Sequence, residues 1–262
     1  AKLRLAIAGH SGSGKTYTAL AVGTALGKVA LVDTEHGSAS KYADIFDFDV
    51  AEMHAPFHPD KYAKAIEAAT AAGYDVVILD SLSHAWNGPG GVLEIVEQAS
   101  KKYRGNSYAG WQEGTPVHNR LIEAIVGAGI HVIGTMRSKQ EYILIDKNGK
   151  QQPQKVGMAP VQRDGFEYEF DVFLDMDIEN NAIVSKTRCP ALAGAVITRP
   201  GLALAKTLAD WLGGVKVEHP APPTPRQVDT TTGEITEGVI VEFDDIPSAS
   251  NGAGESPADL PP

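Results

Sequence analysis

One cysteine, Cys189, stands in a chain of 262 residues. A single thiol closes no disulfide within the chain and builds no cysteine-rich zinc centre, so a reducing, cytoplasmic compartment is expected. No stretch approaches the ~18 consecutive apolar residues of a membrane span, and no membrane partner is expected. The opening Ala1-Lys2-Leu3-Arg4 lacks an apolar core followed by a small-residue cleavage site, so a secretory leader is not expected. His54, His58, His84, His118 and His131 have neither metal-ligand spacing nor an evident nucleophile to serve.

Positive charge is also scarce, with 23 Lys and Arg against 33 Asp and Glu. That deficit is uneven. Nine acids and one base, Arg226, fall between residues 217 and 262, leaving 22 bases against 24 acids in residues 1–216. The first part is nearly neutral, so local patches decide what it binds. Eight of the sixteen prolines lie beyond residue 217, beginning with Pro220-Ala221-Pro222-Pro223-Thr224-Pro225. Such a run enters neither a helix nor a central strand, and few large apolar side chains offset its ordering entropy. The composition predicts a core over residues 1–213 and a disordered, acidic, proline-rich tail over 214–262. One apolar island, Gly238–Phe243, reads as an incidental cluster or as a short partner-docking strand, the former being favoured.

Residues 1–213 alternate strand and helix. Apolar runs at Leu3–Ala8, Val29–Asp33, Asp75–Asp80 and Ile130–Met136 predict strands buried on both faces. Helices are expected at Thr16–Leu26, Asp60–Ala72, Val92–Tyr103, Val117–Val126 and Leu202–Leu212. Shorter strands are expected at Tyr142–Asp146, Phe170–Met176 and Ala182–Thr187. The pattern predicts an α/β fold with a mostly parallel sheet covered by helices.

Between the first strand and helix lies Gly9-His10-Ser11-Gly12-Ser13-Gly14-Lys15-Thr16, a complete G-x-x-x-x-G-K-[ST] P-loop. Glycines let backbone N–H groups curl around phosphates, the helix N-terminus adds partial positive charge, Lys15 adds a full one, and the Thr16 hydroxyl ligates Mg²⁺. ATP with Mg²⁺ is the expected cofactor pair. Asp80, closing the third apolar run, is the expected second carboxylate at the metal. Hydrolysis also needs a group to orient or deprotonate water. Glu35, just past the second strand, is favoured modestly over Asp33 on spacing.

Gly9–Thr16, Asp33-Thr34-Glu35-His36 and the strand ending in Asp80-Ser81 together resemble the ATPase core of RecA-type recombinases. The resemblance implies that Glu35 is the catalytic base and that Tyr42 stands where an aromatic residue meets adenine, although helix packing explains Tyr42 equally well. Thr135 stands where that family senses the γ-phosphate with a glutamine. Lys186 and Arg188, in Ser185-Lys186-Thr187-Arg188-Cys189-Pro190, match two cations that reach the ATP of a neighbouring subunit, which implies a homo-oligomer, ring or filament. The alternative for this pair is a solvated strand edge.

The segment from Val156 to Asp171 narrows the resemblance to phage single-strand annealing ATPases with a minimal RecA core. That resemblance covers residues 1–213 and does not include an amino-terminal oligomerisation arm. Two cationic loops stand at the positions of the family's DNA-contacting loops: Lys101, Lys102 and Arg104 in one, and Lys147, Lys150, Lys155 and Arg163 in residues 146–164 in the other. Cations meet phosphates and interleaved aromatics stack on bases, without need of sequence preference. Solvated surface loops are the bland alternative, and Trp86 and Trp111 read as packing residues.

The function these features imply is an ATP-dependent, single-stranded-DNA-binding annealing or recombination protein. A single-strand-binding or other recombination protein would be the partner of the tail. Two rival readings remain open: a helicase or translocase motor on the same fold, and a nucleotide-gated DNA scaffold with negligible turnover.

Overall fold

The computed structural model describes residues 1–147, 150–213, 226–228 and 235–237, without the side chains of 140–157 or of the last two segments. It divides the chain into two units, Ala1–Val217 and Glu218–Pro262.

The first unit is built on one sheet of order β3-β2-β4-β5-β1-β7-β8-β9. Its strands are β1 (Arg4–Gly9), β2 (Val29–Asp33), β3 (Asp49–Glu52), β4 (Val76–Asp80), β5 (His131–Lys147), β7 (Val172–Met176), β8 (Asn181–Thr187) and β9 (Val196–Thr198), with β6 (Lys150–Pro160) paired to β5 alone. The neighbours from β3 to β7 run parallel, whereas β8 and β9 are antiparallel. The helices are α1 (Lys15–Leu26), α2 (Pro59–Ala71), α3 (Ser83–Asn87), α4 (Val92–Lys102), α5 (Ser107–Gly127) and α6 (Leu202–Leu212).

β1 and β4 are buried along their whole length, because helices cover both faces of the sheet. One core packs α1 and α6 against Leu5, Ile7, Leu31 and Ile78, and takes in Cys189. The other packs α2 and α5 against Ala6, Val77, Leu79 and Val132. Consecutive residues of each strand face opposite cores, which is why these strands read as continuous apolar runs.

Two expectations need correction. Helix α5 begins ten residues before Val117, since the Asn106 side chain caps it by accepting from the Ala109 N–H at 3.3 Å. A Cβ on Gly110 or Gly114 would strike Val96 of α4, so the glycines that argue against a helix there are what let α4 and α5 pack closely. Most of residues 146–164 is strand rather than loop. β5 continues past the sheet and pairs antiparallel with β6 from Ser138↔Pro160 to Lys147↔Lys150. Pro153 is tolerated because β6 is an edge.

In the second unit, β10 (Arg226–Val228) and β11 (Ile235–Glu237) pair antiparallel, a short ladder that the composition does not predict. The island Gly238–Phe243 lies outside the described residues. Among the described residues no helix is long and apolar enough to cross a membrane, and no cluster of three potential metal-binding side chains occurs.

Candidate nucleotide site

The carboxyl ends of β1, β2 and β4 meet the Gly134–Arg137 stretch of β5 on one edge of the sheet. The register places Gly9 beside Arg137, Asp33 beside Asp80, and Leu79 beside Gly134. That edge of a parallel sheet is where loops gather and helix N-termini point.

The P-loop leaves β1 at Gly9 and enters α1 at Lys15. Gly12 and Gly14 have φ of +79° and +87°, a left-handed conformation that a side chain resists. Gly9 is fixed by space instead, since a Cβ there would lie 2.5 Å from Ser13 Oγ and 2.7 Å from the Met176 carbonyl oxygen. Asn180 Nδ2 donates to the Gly12 carbonyl at 3.2 Å, tying the loop to the turn after β7.

The residues fit a phosphate and its magnesium ion. Ser13 Oγ is buried without a hydrogen-bond partner, and Lys15 Nζ turns back onto the His10 carbonyl at 2.6 Å. Both are polar groups that a phosphate would satisfy. Thr16 Oγ1 donates to Asp80 Oδ2 at 2.7 Å, bringing together the hydroxyl and the carboxylate expected at the metal. Mg²⁺ bound there would neutralise phosphate charge. Burial raises the Asp80 pKa, the bonds from Thr135 and Thr16 lower it, and the Glu35 and Asp33 charges raise it. Burial lowers the Lys15 pKa, whereas Asp80 and then Glu35 raise it and Arg137 lowers it. These side chains therefore form one electrostatic cluster.

Asp33 and Glu35 differ in what they have left to give. The Asp33 carboxylate is buried and accepts from the Glu35 N–H at 2.5 Å and the Ala39 N–H at 3.1 Å, which shapes the loop. Glu35 Oε1 instead accepts from Arg137 Nε at 2.9 Å. Thr34 anchors the same loop to β4. Its N–H donates to the Asp80 carbonyl, and its hydroxyl accepts from the Ser81 N–H and lies 2.7 Å from His84 Nδ1.

Tyr42 sits in a 3₁₀ turn, edge-on to Tyr17 at 6.1 Å. Both line a cavity of about 600 Å³ that continues from Gly12 and Gly14 to Asn180, Arg199 and Leu202. A planar ring has room beside the P-loop there. Thr135 is fully buried, and its hydroxyl donates to Asp80 Oδ1 at 2.5 Å.

The other expected site residues lie elsewhere. β8 runs antiparallel to β7, so Thr187 pairs with Val172 at the amino edge, whereas Ala182 pairs with Met176 beside the P-loop. Lys186 Nζ donates to the carbonyls of Glu167, Tyr168 and Phe170, and Arg188 Nη1 pairs with Asp171 Oδ1 at 2.9 Å. Lys101 and Lys102 end α4, where Lys101 pairs with Glu97 at 2.6 Å and Lys102 with Glu113 at 3.3 Å. Arg104 has φ of +57° in the turn that follows. Arg163 follows β6 with its guanidinium 5.5 Å from the Trp111 ring centre, and Trp111 stacks on Trp86. Lys147, Lys150 and Lys155 lie on the β5–β6 hairpin, their side chains outside the described residues.

Two contacts have no counterpart among the residues singled out from sequence. Asn180 gives no local signal, because its role depends on a turn distant in sequence. Arg137 is two residues past Thr135 on one strand, and that period places both side chains on one face.

A P-loop on a mostly parallel sheet, with a paired hydroxyl and carboxylate beside it, defines a P-loop ATPase domain. Residues 1–196 match the family described as AAA domain, and the chain belongs to that family. A comparison with curated proteins returns no match.

Proposed function

We propose that this ATPase domain is a single-stranded-DNA-binding protein of the RecA type that hydrolyses ATP with Mg²⁺ at subunit interfaces and promotes annealing or strand exchange, as phage annealing ATPases do. The observation that carries this reading is the placement of Lys186 and Arg188. From Leu5 to Gly9 the shared β1–β7 ladder covers four residue steps, about 13 Å at ~3.3 Å each. The pair thus stands a strand's length from its own P-loop, which supports a role at the ATP of a neighbouring copy rather than at its own. A cation supplied by a neighbour stabilises transition-state charge and makes turnover depend on assembly.

Glu35 supports the same reading, since Asp33 is consumed by backbone donors and Glu35 retains a carboxylate oxygen for water. Nucleic acid would meet Lys101, Lys102 and Arg104 on one side and the hairpin with Arg163 on the other. The ion pairs of Lys101 and Lys102 do not oppose this, because exposed pairs contribute only about 0–1 kcal/mol and yield to phosphates. ATP turnover of the full chain, with and without single-stranded DNA, tests the proposal. A several-fold stimulation is expected, together with accelerated pairing of complementary strands. Directional duplex unwinding would favour a motor instead, and turnover indifferent to DNA would refute the reading.

A further inference from the structure

Trp86 and Trp111 are expected to be packing residues, yet neither belongs to either core, and both are half-buried. Their rings lie 5.9 Å apart and 30° from parallel, against a cavity of about 590 Å³. Among the described residues that cavity is also lined by two cations, Lys139 and Arg163, and one acid, Asp164. A volume of this size suits a small ligand, and half-exposed indoles offer flat apolar faces to a planar one. Two indoles alone would suit an organic cation equally, but the basic side chains outnumber the acid and repel one. A planar group that carries negative charge fits the set.

The wall is held in place from behind. His118 is buried and packs its ring edge-on against Trp86 at 5.5 Å. Gln162, also buried, holds Oε1 3.2 Å from His118 Nε2 and accepts there from the Arg163 N–H at 2.9 Å. Its Nε2 donates to the Leu82 carbonyl at 3.3 Å, which ties this wall to the chain just past Asp80. The Arg163 guanidinium stands 5.5 Å from the Trp111 ring centre. Trp111 lies near the start of α5, just past the turn that holds Arg104. The cavity therefore draws its lining from beside both cationic segments proposed to meet nucleic acid.

We infer that Trp86 and Trp111 form a stacking platform for a base of single-stranded DNA, with Arg163 and Lys139 beside its phosphate. The inference rests on the DNA-binding reading proposed above and adds a base site to it. Lys101, Lys102 and Arg104 would hold the backbone of the strand through charge, which salt screens. Stacking adds affinity of another kind, and it needs no particular base because every base has a π-face.

The test is equilibrium titration of the full chain, over a range of salt, with oligothymidylate and with an abasic strand of equal length. The wild type should bind the abasic strand about tenfold more weakly. Trp111→Ala should weaken oligothymidylate binding about tenfold, leave abasic binding unchanged and keep the salt slope. Trp111→Phe should recover part of that loss. Should Trp111→Ala fail to fold, tryptophan emission of Trp211→Phe decides, since Trp86 and Trp111 are then the only indoles in the chain. Oligothymidylate should quench it and the abasic strand should not. Equal affinity of the wild type for both strands overturns the inference and leaves the DNA-binding reading intact. An equal loss on both strands in a folded Trp111→Ala, or emission indifferent to oligothymidylate, does the same. No binding of either strand by the wild type overturns both, and an acidic aromatic peptide would then be the occupant to test.

Discussion

The two edges of the central sheet carry charge in opposite ways. At the carboxyl edge, Lys15, Arg137, Glu35 and Asp80 act on one another, and Ser13 Oγ lacks a partner. At the amino edge, polar groups are spent on the fold. The Arg4 guanidinium is buried and donates to the carbonyls of Leu3, Val126, Ala128 and Ile130. Asp171 accepts from the Arg4 N–H and from Arg188, and His131 Nδ1 accepts from the Leu3 N–H at 2.9 Å. Mutually coupled ionisable groups mark the end that does chemistry, and groups bonded mostly to the backbone mark the end that holds shape, although Arg4 Nε at that end is itself buried without a partner. Lys186 and Arg188 cross that division, being cations at the structural edge with a proposed role in catalysis.

Substitutions should separate the edges. Glu35→Gln keeps the shape but cannot take a proton, so turnover should fall about 10²–10⁴-fold while ATP still binds. A mild Glu35→Gln beside a severe Asp33→Asn would exchange their roles. Lys15→Ala should weaken ATP binding on the order of a hundredfold, read by equilibrium titration, with the fold unaffected.

The amino edge should answer to pH instead. Burial, then the charges of Lys2 and Arg4, lower the His131 pKa to about 4, below the ~6.5 of an unfolded histidine. The unfolded chain therefore binds the extra proton between these values. Stability is full above pH ~6.5 and declines as pH falls towards 4, by at most about 3 kcal/mol from this group. Denaturant unfolding should show the decline, and His131→Asn should flatten it. The smallest effect is expected from the acidic segment. Removing residues 217–262 takes away nine acids and one base, and should tighten single-strand binding a few-fold at low salt and less at high salt. An equal change at both would deny an electrostatic role.

The nucleotide edge is legible in sequence where its signals are local. Gly9–Thr16 is one contiguous motif, and Asp80 ends an apolar run whose burial fixes its direction. The boundaries of β2 and α6 also match the apolar runs read from sequence. Contacts made across the sheet are not legible. The choice between Asp33 and Glu35 turns on backbone donors from the loop after β2, and Arg137 gains its partner only when β5 is laid beside β1. Of the β5–β6 hairpin only Tyr142–Asp146 is read as strand, because the charged side chains that follow suggest a loop. The distance of Lys186 and Arg188 from their own P-loop follows from β8 running antiparallel, which their spacing alone does not reveal.

Mixing two inactive variants tests the central claim most directly. Arg188→Ala should bind ATP at its own P-loop yet lose the DNA-stimulated rate, and Glu35→Gln should bind ATP without turning it over. In a mixed assembly some interfaces unite an intact Glu35 with an intact Arg188 from the adjacent copy. Turnover in the presence of single-stranded DNA should then partly return, with a maximum at intermediate ratios. No recovery at any ratio, in assemblies shown to contain both variants, would contradict the claim that the far edge of one copy completes the nucleotide site of the next.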